Sequence, residues 1–135
     1  MKISPYLSFN GNCAEAIALY EKAFDTKANV LLYKDSPPEM GMTEFGDQVF
    51  DAQLKLGSET IMFHDLMPGT PAAQIGSNFM LTIKFDEIDE PKIKKAFSIL
   101  QEGGEVVMEL CAVPWSKCFG LVADKFGITW NFCQN

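Results

Sequence analysis

KCFGLVADKFGITWNF, residues 117–132, reads as two strands and a reversal. Cys118 to Ala123 has the Val and aromatic-rich composition of a β-strand, Asp124-Lys125-Phe126-Gly127 makes a tight turn, and Ile128 to Cys133 forms the returning strand. Gly127 supplies the positive φ that such a reversal commonly needs. Trp130 and Phe132, two residues apart, fall on one strand face, where each side chain can bury roughly 150–250 Å². A hairpin of this kind completes a sheet whose other strands lie earlier in the chain.

From the start, Ile3 to Phe9 reads as a strand and Asn10-Gly11-Asn12 as a turn. Asn12 with Glu15 resembles a capping box, after which Ala16, Ile17, Tyr20, Ala23 and Phe24 recur at helical spacing, so a helix is expected over about 13–24. A strand follows from Ala28 to Lys34. Asp35 to Met42 holds two prolines and a glycine, which argue against regular structure, and two methionines that offer soft apolar contact. Val49 to Leu56 alternates as a strand, Gly57-Ser58 turns, and Glu59 to His64 returns.

LMPGTPAAQIGS, residues 66–77, is a connector rich in Pro, Gly and small residues. The pattern then restarts. Asn78 to Phe85 is a strand, and Asp89 can cap a helix that has Pro91 in its first turn and an apolar stripe of Ile93, Ala96, Phe97 and Leu100. Gly103-Gly104 ends that helix, Glu105 to Leu110 is a strand, and the hairpin closes the chain. The expectation is an α+β fold of two βαβββ modules, about 1–66 and 77–135, joined by a connector at 67–76 within one domain. Such a unit exposes one face of a curved sheet, which a second unit can cover to leave a cleft between them.

Composition excludes several function classes. The 135 residues, 47% hydrophobic, suffice for one core. A net charge of −7 with 11 scattered basic residues argues against nucleic acid as a partner. There is no apolar signal segment and no long apolar run, so no membrane partner and a cytoplasmic location are expected. Cys13, Cys111, Cys118 and Cys133 show no CxxC pair and no finger spacing with the single histidine, and read as reduced thiols.

Several motifs are similar to those of the vicinal oxygen chelate superfamily, the glyoxalase/bleomycin resistance/dioxygenase proteins, and within it to the PhnB-like branch. They are Pro5-Tyr6-Leu7 with Asn10 to Ala16 and Tyr20; Pro37 to Met40; Gly76 with Asn78-Phe79; Gly103 to Val106; and Trp115 with Phe119-Gly120 and Asp124 to Trp130. The resemblance runs from end to end. It implies a divalent metal held by His and Glu from the first and last strand of each repeat. Carried over one at a time, those positions fall at Ser4 or Pro5, near Met62, between Asn78 and Met80, and at Asn131. None is His, Asp or Glu, and thioether or amide groups are poor donors for such an ion, so neither metal nor other cofactor is expected.

Candidate ligand-contacting residues are Asp51, Gln53, Met62, His64, Trp115 and Asn131. His64 shares a strand face with Met62 and can serve as acid, base or ligand; alternatively it is a rim residue hydrogen-bonded beside Asp65. Asp51 and Gln53 alternate along a strand that either contacts a ligand or faces solvent, and Trp115 and Trp130 serve either packing or stacking. Asn131 is a candidate because the resemblance places it in the cleft. Three classes of function remain: metal-independent binding of a small apolar or amphipathic molecule in the cleft between the modules, a glyoxalase- or dioxygenase-like metalloenzyme, and a ligand-free structural dimer. A family label connecting this branch with demethylubiquinone methyltransferases offers a further enzyme reading, although the chain has no glycine-rich strand-to-helix turn. A homodimer is expected, because edge strands in so small a module need cover.

Overall fold

Strict alternation fixes which side chains of each strand enter the core. Along Glu59–Asp65 (β4), Ile61, Phe63 and Asp65 are buried, whereas Thr60, Met62 and His64 take the other face. Along Thr129–Gln134 (β8) the same rule buries Trp130, Phe132 and Gln134. Trp130 and Phe132 are both fully buried, as their spacing predicts.

The computed structural model describes all residues 1–135. Tyr6–Phe9 (β1), Cys13–Phe24 (α1), Asn29–Leu32 (β2), Val49–Leu56 (β3) and β4 precede Leu81–Phe85 (β5), Glu90–Leu100 (α2), Glu105–Val113 (β6), Ser116–Ala123 (β7) and β8. Strand, helix and three strands therefore occur twice, giving an α+β fold with two four-stranded sheets, ordered β1-β4-β3-β2 and β5-β8-β7-β6. The chain divides into two compact units, Met1–Glu21 with Asp25–Gln74 and Lys22–Phe24 with Ile75–Asn135. No helix is long and apolar enough to cross a membrane.

In the first unit, Ala16, Ile17 and Tyr20 of α1 face the sheet, and the Tyr20 ring stacks on Phe63 at 5.7 Å. In the second, Phe97 of α2 meets Phe132 edge-on at 5.4 Å. That approach depends on Gly120 of β7, since a Cβ there would lie 2.9 Å from Leu110 and 3.1 Å from Phe97. Gly127 has φ 84°, as the reversal requires, and the Asp124 carboxylate accepts the backbone N–H groups of Phe126 and Ile128 and the indole N–H of Trp130.

Several expected boundaries shift. β1 begins at Tyr6, not Ile3: its parallel ladder with β4 starts at the Tyr6–Met62 pair, just after Pro5, which has no N–H to give. β5 begins at Leu81, not Asn78, since the ladder it joins starts with Trp130. β2 stops at Leu32 where Tyr33–Asp35 tightens into a 3₁₀ turn. The Pro-rich loop is not without regular structure: Pro38–Met40 and Thr43–Phe45 are single 3₁₀ turns, the first started by the fixed φ of Pro38. β6 runs on to Val113, through three register irregularities, because Cys111 and Val113 still find partners in β7.

The capping box does not form, and Asn12 makes no side-chain cap. The buried Asp65 carboxylate takes that role from 52 residues away. Its Oδ1 accepts the N–H groups of Gly11 and Cys13 at 2.9 and 3.0 Å, and its Oδ2 that of Val49 at 2.9 Å. Asp65→Asn turns a donor toward one of these buried N–H groups. We expect it to cost roughly 3 kcal/mol, lowering the urea midpoint by about 1–2 M at constant slope. A midpoint within error of the parent would show that Asp65 does not anchor the unit.

Candidate functional site

The face of the first sheet that turns away from Ile61 and Phe63 is assembled by register. Ser8 stands opposite His64 and Tyr6 opposite Met62; Gln53 pairs with Met62, Asn29 with Gln53, and Leu31 with Asp51. Between Leu31 and Leu32 the partner jumps from Asp51 to Val49, so Phe50 is an extra residue in β3. This bulge turns two sequence neighbours, Phe50 and Asp51, to one cavity, which regular alternation would not allow.

The cavity has a volume of about 420 Å³ and belongs entirely to the first unit. Tyr6, Leu31, Phe50, Asp51 and His64 come from the strands; Tyr33, Met42, Leu66, Met67 and Thr70 come from the turns and loops around them. The Tyr6 hydroxyl donates to Asp51 Oδ1 at 3.1 Å, and Gln53 Nε2 donates to Asp51 Oδ2 at 3.4 Å. Ser8 Oγ and His64 Nε2 are 2.7 Å apart, the direction of donation following the imidazole tautomer. The Tyr6 and His64 rings lie 4.6 Å apart at 43°.

Burial pushes the Tyr6 phenol up to about 12, and the hydrogen bond and charge of Asp51 add to the shift. Tyr6 is therefore a neutral donor across ordinary pH. Burial also raises the Tyr33 phenol, which donates to the Asp65 carbonyl at 2.9 Å. The Cys13 thiol is raised strongly by burial and by the Asp65 charge, so it is an inert core group.

Of the six sequence candidates, Asp51, Gln53, Met62 and His64 share this sheet face, and Asp51 and His64 line the cavity. His64 is bonded to Ser8, and Asp65 points to the opposite, buried face. Trp115 and Asn131 belong to the second unit. Trp115 is 67% exposed at the turn between β6 and β7 and meets Phe119 edge-on at 5.6 Å. Asn131 Nδ2 donates to Thr82 Oγ1 at 3.2 Å, while its buried Oδ1 has no partner. Tyr6 and Ser8 escaped the sequence reading although their alternation in β1 marked them as a pair. Phe50 carried no signal, because its direction depends on the bulge.

A family profile described as 3-demethylubiquinone-9 3-methyltransferase matches residues 1–133. The chain belongs to this family. Protein YjdN of Escherichia coli K12 is 34% identical over 96% of this chain and 92% of its own. The crystal structure of PA1353 from Pseudomonas aeruginosa covers the whole chain and 98% of its own at 30% identity and a TM-score of 0.84. The PhnB protein from Bacillus cereus covers both chains fully at 25% identity and a TM-score of 0.73. The fosfomycin resistance protein FosX of Listeria monocytogenes, 9% identical over 98% of this chain and 89% of its own, shares the fold at a TM-score of 0.62. The chain is thus a PhnB-like member of the vicinal oxygen chelate superfamily.

The metal implied by that superfamily does not fit these residues. No three His, Cys, Asp or Glu side chains come together in a group able to hold an ion. The open faces of β1, β4, β5 and β8 offer hydroxyl groups, the Met62 thioether, the Asn131 amide and the single Cys133 thiol, with His64 as their one imidazole. A catalytic divalent ion needs about three convergent imidazole or carboxylate ligands.

The Tyr6–Asp51 bond has a spectroscopic signature. Because the folded-state pKa exceeds the ordinary 10.0, the phenol contributes stability that is fully present below pH 10 and lost as pH climbs through about 12. In Asp51→Asn the tyrosinate absorbance, assigned with Tyr6→Phe, should develop at lower pH, part of the way back toward 10.0, since burial remains. An unmoved titration would remove Asp51 as the partner.

Proposed function

We propose that this chain is a binding protein for a small apolar or amphipathic molecule, held in the first-unit cavity without a metal ion. The observation that carries the reading is the cavity itself. Its volume lies within the roughly 300–1,000 Å³ of small-molecule sites, its walls are mostly apolar, and a few polar groups converge on it. A glyoxalase- or dioxygenase-like reaction would need donors that the site lacks. The methyl transfer in the family's description would need a cofactor seat. The connection from β1 to α1, Asn10-Gly11-Asn12, has no glycine-rich turn for a nucleotide, and membership carries homology alone. Four unpaired cysteines support work in the cytoplasm.

A second copy of the chain is the proposed protein partner. β6, nine residues long, is an edge strand of its sheet, and Val107 on it is 58% exposed. Neither nucleic acid nor membrane is part of this reading.

Screening a library of amphipathic compounds should find at least one that raises the melting temperature in a concentration-dependent way, with the gain reduced in Phe50→Ala. Calorimetry with Zn²⁺, Ni²⁺ or Fe²⁺ should show no tight stoichiometric site. A site of one ion per chain that disappears in His64→Ala would replace the binding reading with the enzymatic one. For the assembly, sedimentation at micromolar concentration should give twice the 15.0 kDa chain mass; a monomer would exclude the proposed dimer.

A further inference from the structure

We propose that the first-unit cavity selects a protonated organic amine with an apolar body, and that the Asp51 carboxylate is its counter-charge. This inference rests on the small-molecule reading above and specifies its ligand class. Asp51 lines the cavity, where its two hydrogen bonds come from neutral donors, the Tyr6 hydroxyl and the Gln53 amide, at 3.1 and 3.4 Å. A carboxylate has about four lone-pair sites, so acceptor capacity is left over. The five ion pairs of the chain lie elsewhere, and no lysine or arginine lines the cavity. The anionic group thus stands beside apolar walls with no cation of its own.

A partly desolvated carboxylate gains most from a partner that brings both charge and N–H donors, and a ligand ammonium supplies both. Tyr6, Tyr33 and Phe50 add aromatic surface around the same space, on which a cation is also stabilised. Leu31, Met42 and Met67 leave the remaining volume to hydrocarbon or ring. Anionic ligands meet like charge at Asp51. His64, the other charge-bearing group on the lining besides the two phenols, has Nε2 engaged with Ser8.

Three probes with one body separate charge from shape: tryptamine, tryptophol and indole-3-propionate carry an ammonium, a hydroxyl and a carboxylate on similar indole stems. Titration calorimetry at pH 7 should give tryptamine at least tenfold tighter binding than tryptophol, with indole-3-propionate the weakest. In Asp51→Asn the preference for the amine should collapse while tryptophol binding persists, and that persistence also shows the variant is folded. Tyr6→Phe frees an acceptor site on Asp51 and should keep or strengthen tryptamine binding. Equal affinity for amine and alcohol, or a preference that survives Asp51→Asn, overturns the amine inference and leaves the cavity a binding site. Absence of binding by all three overturns both readings.

Discussion

The first unit depends on one buried carboxylate. Asp65 sits at the end of β4, with 1% of its surface exposed, and is tolerable there only because backbone N–H groups occupy its oxygens. Those groups belong to three places: the loop before α1, the first residue of α1, and the first residue of β3. A helix start, a strand start and a strand end are therefore tied at one point. The tie also orients the site. With Asp65 committed inward, alternation commits His64 to the opposite face, where Ser8 and Tyr6 meet it.

The second unit solves the corresponding problem with different chemistry. Phe9 pairs with Asp65 in the first ladder, and Phe85 pairs with Gln134 in the second. Gln134 is also buried, but it is neutral, and its amide donates to the Glu87 carbonyl at 2.7 Å. The carboxylate of this unit appears instead in the turn, at Asp124. The repeat thus conserves the geometry of a sheet carrying a helix while the polar anchor moves within it. On the open face the divergence is larger, with Asn131 and Cys133 of β8 at the ladder positions of Met62 and His64 in β4.

Most of the fold was legible because it rests on short-range signals. The apolar stripe of α2, the alternation of β3 and β4, and Gly127 in the final turn each follow from a few adjacent residues. Strand ends were less legible, since where β1 and β5 begin is set by pairing with residues more than 40 positions away. The missed cap has the same cause: Asn12 looked sufficient locally, yet a carboxylate distant in sequence supplied the acceptor. Of the site, alternation showed that His64 and Met62 share a face and that Asp51 and Gln53 do. It did not show the Tyr6 hydroxyl on Asp51 or the Met42 and Met67 walls, which require the paths of two loops.

The bulge at Phe50 makes the cavity wall separable from the sheet that carries it. The ladder of β3 with β4 runs from Ala52 onward and takes no part in the irregularity, which involves β2 alone. Loss or gain of one residue at this point therefore resets the aromatic lining and leaves the register of Ala52 through Leu56 intact. In a lineage of such chains, the contour of the chamber can diversify through single-codon insertions and deletions in a strand, a position where length changes ordinarily destroy a sheet.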